Sequence, residues 1–409
     1  MQAFRDFALN GALLDFLANG LLGWTWWEML LLALALTHVT IASVTIYLHR
    51  HSAHRALDLH PVAAHFFRFW LWLTTGMTTK AWTAIHRKHH AKCEQAEDPH
   101  SPQIYGIRKV LWQGAELYRA EAKNTETLAR YGHGTPDDWL ERHLYDRRSV
   151  WGVSLMLVID VLLFGLPGLA VWALQMVWIP FWAAGVINGL GHYWGYRNFE
   201  AQDASTNVSP WGLVIGGEEL HNNHHTYPTS ARFSVKPYEF DIGWVYISAL
   251  QRLGLAKVKK TPPRLAWGEV RPVADAQTLE AVIAHRYELL ARYARQMKRV
   301  FRQQTGEAEA GTPAASPRAL RQARRWLHRD AERVPAAAQP QLAEARAAYP
   351  ALDKMVTMRE ELRQLWTQTG RTREQLIADL QAWCHRAEES GIAALREFSL
   401  RLRAVRVAA

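Results

Sequence analysis

The sequence predicts an all-α chain in three parts. A short interfacial segment (1–23) precedes a domain of integral membrane helices capped on the cytoplasmic side by helical, histidine-rich segments (24–258), and a soluble basic helical appendage follows (259–409). Three observations predict this. A run of twenty residues at 29–48, MLLLALALTHVTIASVTIYL, carries no Asp, Glu, Lys or Arg, and a helix of that length reaches roughly 30 Å, enough for one bilayer crossing. Histidines recur as His86, His89, His90 and as His221, His224, His225, which on a helix fall at i, i+3 and i+4 and share one face. From Ala274 onward the sequence is rich in Ala, Arg, Leu and Glu with helical periodicity.

Residues 1–23 hold short apolar groups broken by Asn10, Asp15 and Asn19 and are expected to form an interfacial helix; they lack the pattern of a cleavable signal. After the span at 29–48 come His49 and His54. The segment 62–79 is apolar as well, but a parity argument opposes its crossing. Histidines that share metals must lie on one side of the membrane, and the 31 residues between His54 and His86 are too few for two spans and a turn. The segment should lie along the surface or dip in and return, a position that suits Arg68 and His65. Residues 91–148 are polar and read as cytoplasmic. Two apolar stretches, 150–164 and 170–187, are joined by Gly165-Leu166-Pro167-Gly168 and read as a membrane hairpin, in which Asp160 is expected near the outer interface or paired with a neighbour. Arg50, Arg55, Arg87, Lys88, Arg147, Arg148 and Arg197 flank the inner ends and satisfy the positive-inside rule, which leaves the N-terminus outside. Further on, KVKKTPPR marks a boundary, 306–317 reads as a linker, and Thr372 with Gln375 reads as a capping box opening a helix through Glu389.

Composition agrees with a membrane location. The chain is 49% apolar and has 19 tryptophans, a residue that gathers at the headgroup layer. Cys93 and Cys384 are the only cysteines, so no disulfide framework is implied and a reducing cytoplasm suits the polar parts. Residues 261–409 hold 25 Lys and Arg against 17 Asp and Glu, so most of the net charge of +10 sits in the tail. Beside membrane spans, such a tail fits anionic headgroups more readily than nucleic acid, for which it lacks interleaved aromatics or a recognition helix; no nucleic-acid partner is expected.

Imidazole is a neutral ligand for iron, zinc, copper and nickel. A structural zinc site closes with four ligands, so eight or nine histidines are too many for one ion and imply two. Open positions among neutral nitrogen ligands at a membrane surface point to oxygen activation by iron. The boxes His-x4-His, His-x2-His-His and His-x2-His-His, placed around a membrane hairpin, resemble those of the membrane fatty acyl desaturases of the stearoyl-CoA desaturase type. HRKHHAKC, NGLGHYWGYRNF and EELHNNHHTYP are similar to bacterial members that act at the ninth carbon. The resemblance covers about residues 24–255. It implies a dimetal centre of two iron ions, with O2 as co-substrate, held by His49, His54, His86, His89, His90, His192, His221, His224 and His225. Asn188, in the Asn-x3-His pattern that also selects His192, would hold a water. His38, His51, His60, His65, His100 and His133 stay unassigned.

The implied reaction inserts a cis double bond at the ninth carbon of a saturated acyl chain on CoA or membrane phospholipid, in a bacterial inner membrane with the centre facing the cytoplasm. The chain would slide into an apolar tunnel lined by tryptophans and leucines of the spans and of residues 66–73. The tail shows no heme-binding module, so electrons are expected from a separate ferredoxin or flavoprotein reductase. A membrane diiron lipid hydroxylase or alkane monooxygenase is the alternative within oxygen chemistry, and a metal transporter the alternative outside it. The wording of the third box favours desaturation over the former. Boxes at the ends of the spans, rather than inside them, disfavour the latter.

Overall fold

The computed structural model describes residues 2–308, 315–368 and 370–407. Among the described residues helix dominates and strand is confined to three two-stranded pairs, and the chain divides into two compact units after Pro262.

In the first unit, α1 (Gln2–Asn19) is fastened at its end to the far turn of the hairpin: Leu21 and Leu22 amides donate to Leu162 and Leu163 carbonyls, and Leu166 donates to Leu17. Helix α2 (Trp26–Ala53) opens with a capping box between Thr25 and Glu28 and runs unbroken into the first histidine pair. Two helices among the described residues, α2 and α7 (Gly168–Leu190), are long and apolar enough to cross a membrane. The sixteen-residue α6 (Ser149–Phe164) is a shorter apolar helix that packs on α7 across the turn at Gly165 to Pro167. Trp26, Trp27, Leu30, Leu31, Val158 and Leu162 are exposed, an outer surface suited to acyl chains rather than water. Inside the hairpin Gln175 donates to Asp160 at 3.2 Å, so the buried acid of the span has a partner.

Helix α3 (Pro61–Thr75) is fifteen residues long, about 22 Å, and ends at Gly76 in the left-handed region. Arg68 within it pairs with Asp138 and Glu141 of the polar segment, and Trp72 donates to the carbonyl of Arg148 at the start of α6. Helix α4 (Thr79–Lys92) follows, capped by Thr78, and carries the second box. Farther along lie α5 (Ile107–Glu121), α8 (His221–Thr226) with the third box, and α9 (Ile242–Arg252). Strand β1 (Leu57–Leu59) pairs antiparallel with β4 (Ala256–Val258), and β2 (Trp211–Gly212) pairs parallel with β3 (Phe240–Asp241). The first of these ladders ties the end of the unit back to the chain just after its first box.

The second unit holds seven helices among its described residues: α10 (Ala276–Ala284), α11 (Arg286–Ala308), α12 (Pro317–Trp326), α13 (Gln339–Ala348), α14 (Pro350–Thr367), α15 (Arg373–Glu388) and α16 (Ala393–Ala404), apart from two single 3-10 turns. Its core is a single apolar cluster that includes Leu289, Leu352, Met358, Leu362, Trp383 and Phe398. Strand β5 (Leu265–Trp267) pairs antiparallel with β6 (Val405–Val407), so the two ends of the unit close on each other and it is built as a self-contained folding body. The capping box of Thr372 and Gln375 opens α15. The segment expected to be a linker at 306–317 is shorter than the composition suggests: α11 continues through Ala308, and Ser316 caps α12; residues 309–314 lie outside the described residues. Helix-forming Glu and Ala next to Gly306 carry the helix past a glycine that costs it only about 1 kcal/mol.

Candidate metal centre

Local winding aims the first histidine pair. His49 and His54 are five residues apart, and an α-helix would turn them well away from each other. Residues Val44–Ala53 instead form a π-helix, whose i to i+5 bonding is completed at its end by the amide of His54 on the carbonyl of His49 (3.1 Å). The wider turn sets both rings on one face, centroids 5.0 Å apart. The second and third boxes lie on α4 and α8, where i, i+3 and i+4 place their rings together. Asn188 and His192 follow a second π-wound stretch, Pro180–Ile187, at the end of α7.

Arg50 joins the first box to the chain that bears the third. Fully buried, it makes a two-pronged salt bridge to Asp241 (2.9 and 3.1 Å), donates to the carbonyls of Gly216 and Ala231, and lies 3.7 Å over the Phe233 ring. Gly217, at φ +99°, passes so close to Asp241 and Arg50 that a β-carbon would collide with both. Asn222 and Asn223, between the histidines of the third box, are scaffold: their amides donate to Asn207 Oδ1, while Asn222 Oδ1 accepts from the amides of Asn198 and Phe199.

All nine histidines come together, in two adjoining groups. Ligand atoms of His49, His54, His86, His90 and His224 lie within 4.8 Å of one another. In the other group the Nε2 atom of His192 faces those of His89 (3.1 Å) and His221 (3.0 Å), and the His225 ring lies 4.6 Å from that of His192. The groups touch through His90 and His225, stacked at 4.3 Å. Asn188 lines the adjacent cavity beside His86 and His221.

Carboxylates fix the protons. His49 Nδ1 donates to Glu218 (2.8 Å), His89 Nδ1 to Asp98 (2.9 Å) and His225 Nδ1 to Asp203 (2.8 Å). A carboxylate only accepts, so each Nδ1 holds a proton and each Nε2 is turned inward. Burial, reinforced by neighbouring imidazoles, holds His54, His86, His90, His221, His224 and His225 well below the ordinary imidazole range, so they are neutral at pH 7. Burial pushes the Asp98 carboxyl up, but its pairing with His89 carries it below the usual value.

The residues fit a pair of divalent cations. His224 Nε2 lies 3.0 Å from His49 Nε2 and 2.9 Å from His90 Nε2, and the buried Nε2 of His225 has no hydrogen-bond partner. Neutral imidazoles with converging lone pairs repel unless a cation lies between them, and two five- and four-membered nitrogen sets suit late first-row metals.

Two adjoining cavities, the larger about 220 Å³, share Trp82, His86, Ile179, Ala183 and Asn188 and pass beside the histidines. Their walls differ from the expected ones. Residues 66–73 do not line them; Phe66 and Phe69 are exposed on the outer face of α3, and the last two residues of that helix with the turn after it, Thr74 to Met77, supply the wall instead. The turn at Gly76 reverses the chain, so α4 rather than α3 presents its tryptophan.

Several partners were not legible in the sequence. Glu218, three residues before His221, had a spacing signal; Asp98 stood only in a polar run; Asp203 and Trp82 had none. Cys93 Sγ and Glu94 lie 3.9 and 3.5 Å from His192 Nδ1, and Cys93 stands with His89, His192 and His225 in a group whose ligand atoms lie within 4.8 Å of one another. Of the unassigned histidines, His100 stacks on His89 (4.4 Å), His38 meets Tyr246, His51 contacts the Leu57 carbonyl, His60 caps α3, His65 lies near Tyr145 and His133 is exposed.

Residues 25–256 match the family model of fatty acid desaturases, over half of the chain and all of the histidine-bearing part. The chain belongs to the fatty acid desaturase family. The desaturase domain is 30% identical over 244 residues to a delta-9 acyl-lipid desaturase of Arabidopsis thaliana, covering 58% of this chain and 76% of that protein. It is 32% identical over 202 residues to an sn-2 palmitoyl-lipid 9-desaturase of Nostoc sp. (strain 36), covering 45% and 64%. An acyl-CoA 5-desaturase of Anemone leveillei is 29% identical over 243 residues, covering 58% and 73%. The desaturase is therefore an oxidoreductase of fatty acyl chains, with a histidine cluster able to bind metal, and its apolar helices fit a membrane protein. Residues 275–408, outside this domain, are similar to a transposase family model.

Proposed function

We propose that the chain is an oxygen-dependent acyl desaturase that inserts a cis double bond at the ninth carbon of a saturated chain held on CoA or membrane phospholipid. The observation that supports the reading is the convergence of nine imidazoles in two sets beside an apolar cavity. Two iron ions would occupy the sets, one with His49, His54, His86, His90 and His224, the other with His89, His192, His221 and His225, with Asn188 holding a water. Bound iron, with O2 and two electrons from a donor, supplies an oxidant strong enough for unactivated C–H bonds, which no side-chain acid or base can break.

The residues of the chain do the rest. Glu218, Asp98 and Asp203 keep protons at the outer ring nitrogens and hold the imidazoles in place. Trp82, Ile179 and Ala183 offer only apolar contact, so the reacting carbons are selected by depth of insertion. The stoichiometry is one saturated chain, O2, two electrons and two protons giving the alkene and two waters. A separate ferredoxin or flavoprotein reductase would provide the electrons. Basic residues at the inner helix ends support a bacterial inner membrane with the centre toward the cytoplasm.

Expression in cells of known lipid profile, followed by mass spectrometry of free, thioester and phospholipid-bound chains, tests the reading. New monounsaturated chains are expected, and the fraction in which they first appear identifies the carrier. Hydroxylated chains instead, from metal-loaded protein, would favour the hydroxylase alternative.

A further inference from the structure

Several arginines of the C-terminal unit are neutralised at close range. Arg363 pairs with Glu332 (2.7 Å), Arg386 with Glu361 (2.7 Å) and Arg403 with Glu388 (2.8 Å). Helix α12 departs from this pattern. Its sequence, PRALRQARRW, has four arginines and no acid, and Arg318, Arg321, Arg324 and Arg325 are all exposed. None of the four forms an ion pair among the described residues. At 100° per residue they occupy one arc of about 120°, opposite the buried Ala319 and Ala323. Trp326 ends the helix half-buried, with the Arg325 guanidinium 4.9 Å from its ring. Arg302 of α11 extends the positive face along a groove whose lining contains no acidic side chain. Like charges at helical spacing repel, so holding them together costs stability that a ligand must offset.

We propose that this arginine face is a docking surface for the anionic headgroups of a phospholipid bilayer. Guanidinium groups bind phosphate in a two-pronged fashion, and tryptophan favours the headgroup layer. The covalent link to apolar membrane helices presents a bilayer to the unit at high effective concentration. The inference rests on membrane attachment alone and stands whatever the reaction of the desaturase domain. Duplex nucleic acid is the competing polyanion, given the likeness to a transposase model. Among the described residues of this unit, however, no three His, Cys, Asp or Glu side chains gather as a metal site of the kind nuclease chemistry uses.

Residues 263–409, which carry their own core and paired ends, are to be mixed with vesicles of phosphatidylcholine alone and of phosphatidylcholine with phosphatidylglycerol in equal parts. Binding is expected only to the anionic vesicles, weakening as salt rises. The quadruple variant R318Q/R321Q/R324Q/R325Q should lose about fivefold in partitioning per arginine removed, with its helical circular dichroism unchanged. Equal binding to neutral vesicles, failure of the folded unit to bind anionic ones, or tighter binding to duplex DNA at the same salt would overturn the proposal. Should the unit not fold alone, the full chain in nanodiscs of the two compositions serves: slower amide exchange of α12 in anionic lipid supports the surface, and identical exchange rejects it.

Discussion

The two units differ in what their interiors hold. The desaturase domain gathers nine imidazoles, six of them buried, with the Arg50–Asp241 pair, Glu218 and Asp98, while the C-terminal unit packs Leu, Met, Trp and Phe beside a buried ion pair of Arg359 and Asp330. A histidine at the heart of the second unit sharpens the contrast. His285 is fully buried, neither ring nitrogen has a hydrogen-bond partner, and burial holds it below the ordinary imidazole range. An isolated neutral imidazole in an apolar core is a tolerated liability. The same side chain repeated at helical spacing, with carboxylates behind it, forms a cluster able to hold a cation.

The comparison can be broken most directly at the third box. His221→Ala should remove one metal and lower turnover at least about 100-fold, measured by metal content and product yield; an active, fully metallated variant would reject the ligand assignment. Arg50→Met leaves Asp241 buried without its partner and should cost about 3–5 kcal/mol, read as a fall in the unfolding midpoint of the detergent-solubilised protein. Asp98→Asn keeps the shape but weakens the hold on His89, and metal affinity should drop about 10–100-fold by chelator competition. His285→Leu, by contrast, should stabilise the C-terminal unit by about 1–2 kcal/mol with metal content unchanged.

Acid sharpens the same contrast. The cage histidines have depressed pKa values in the folded state, so the unfolded chain takes up protons first as pH falls below about 6.5. Stability and metal retention should therefore be full above that pH and decline below it. Mobility of bound metal at pH 7.5 and 5.5, followed by chelator release, measures this. His133→Ala, on an exposed ring, should change nothing.

Much of the centre could be read from spacing because a helix converts i, i+3 and i+4 into a shared face without help from the rest of the fold. The apolar run before His49, the hairpin around Gly165 and Pro167, and the capping box at Thr372 are equally local, since chain length, turn chemistry and one hydrogen-bonded ring decide them. His49 and His54 already required more. Five residues apart, they face together only because the helix winds wider, and nothing in YLHRHSAH announces that winding.

What the sequence alone determined was the spacing of the histidine boxes, the membrane-length helices and a basic, helical C-terminal part, all properties of neighbouring residues. Tertiary structure decided which carboxylate backs which imidazole, why Arg50 is buried, and that the end of α3 and the turn after it line the cavity. Those contacts join residues such as His49 and Glu218, or Arg50 and Asp241, separated by more than 160 positions. No local periodicity encodes such a meeting; it exists only once packing has excluded the alternatives.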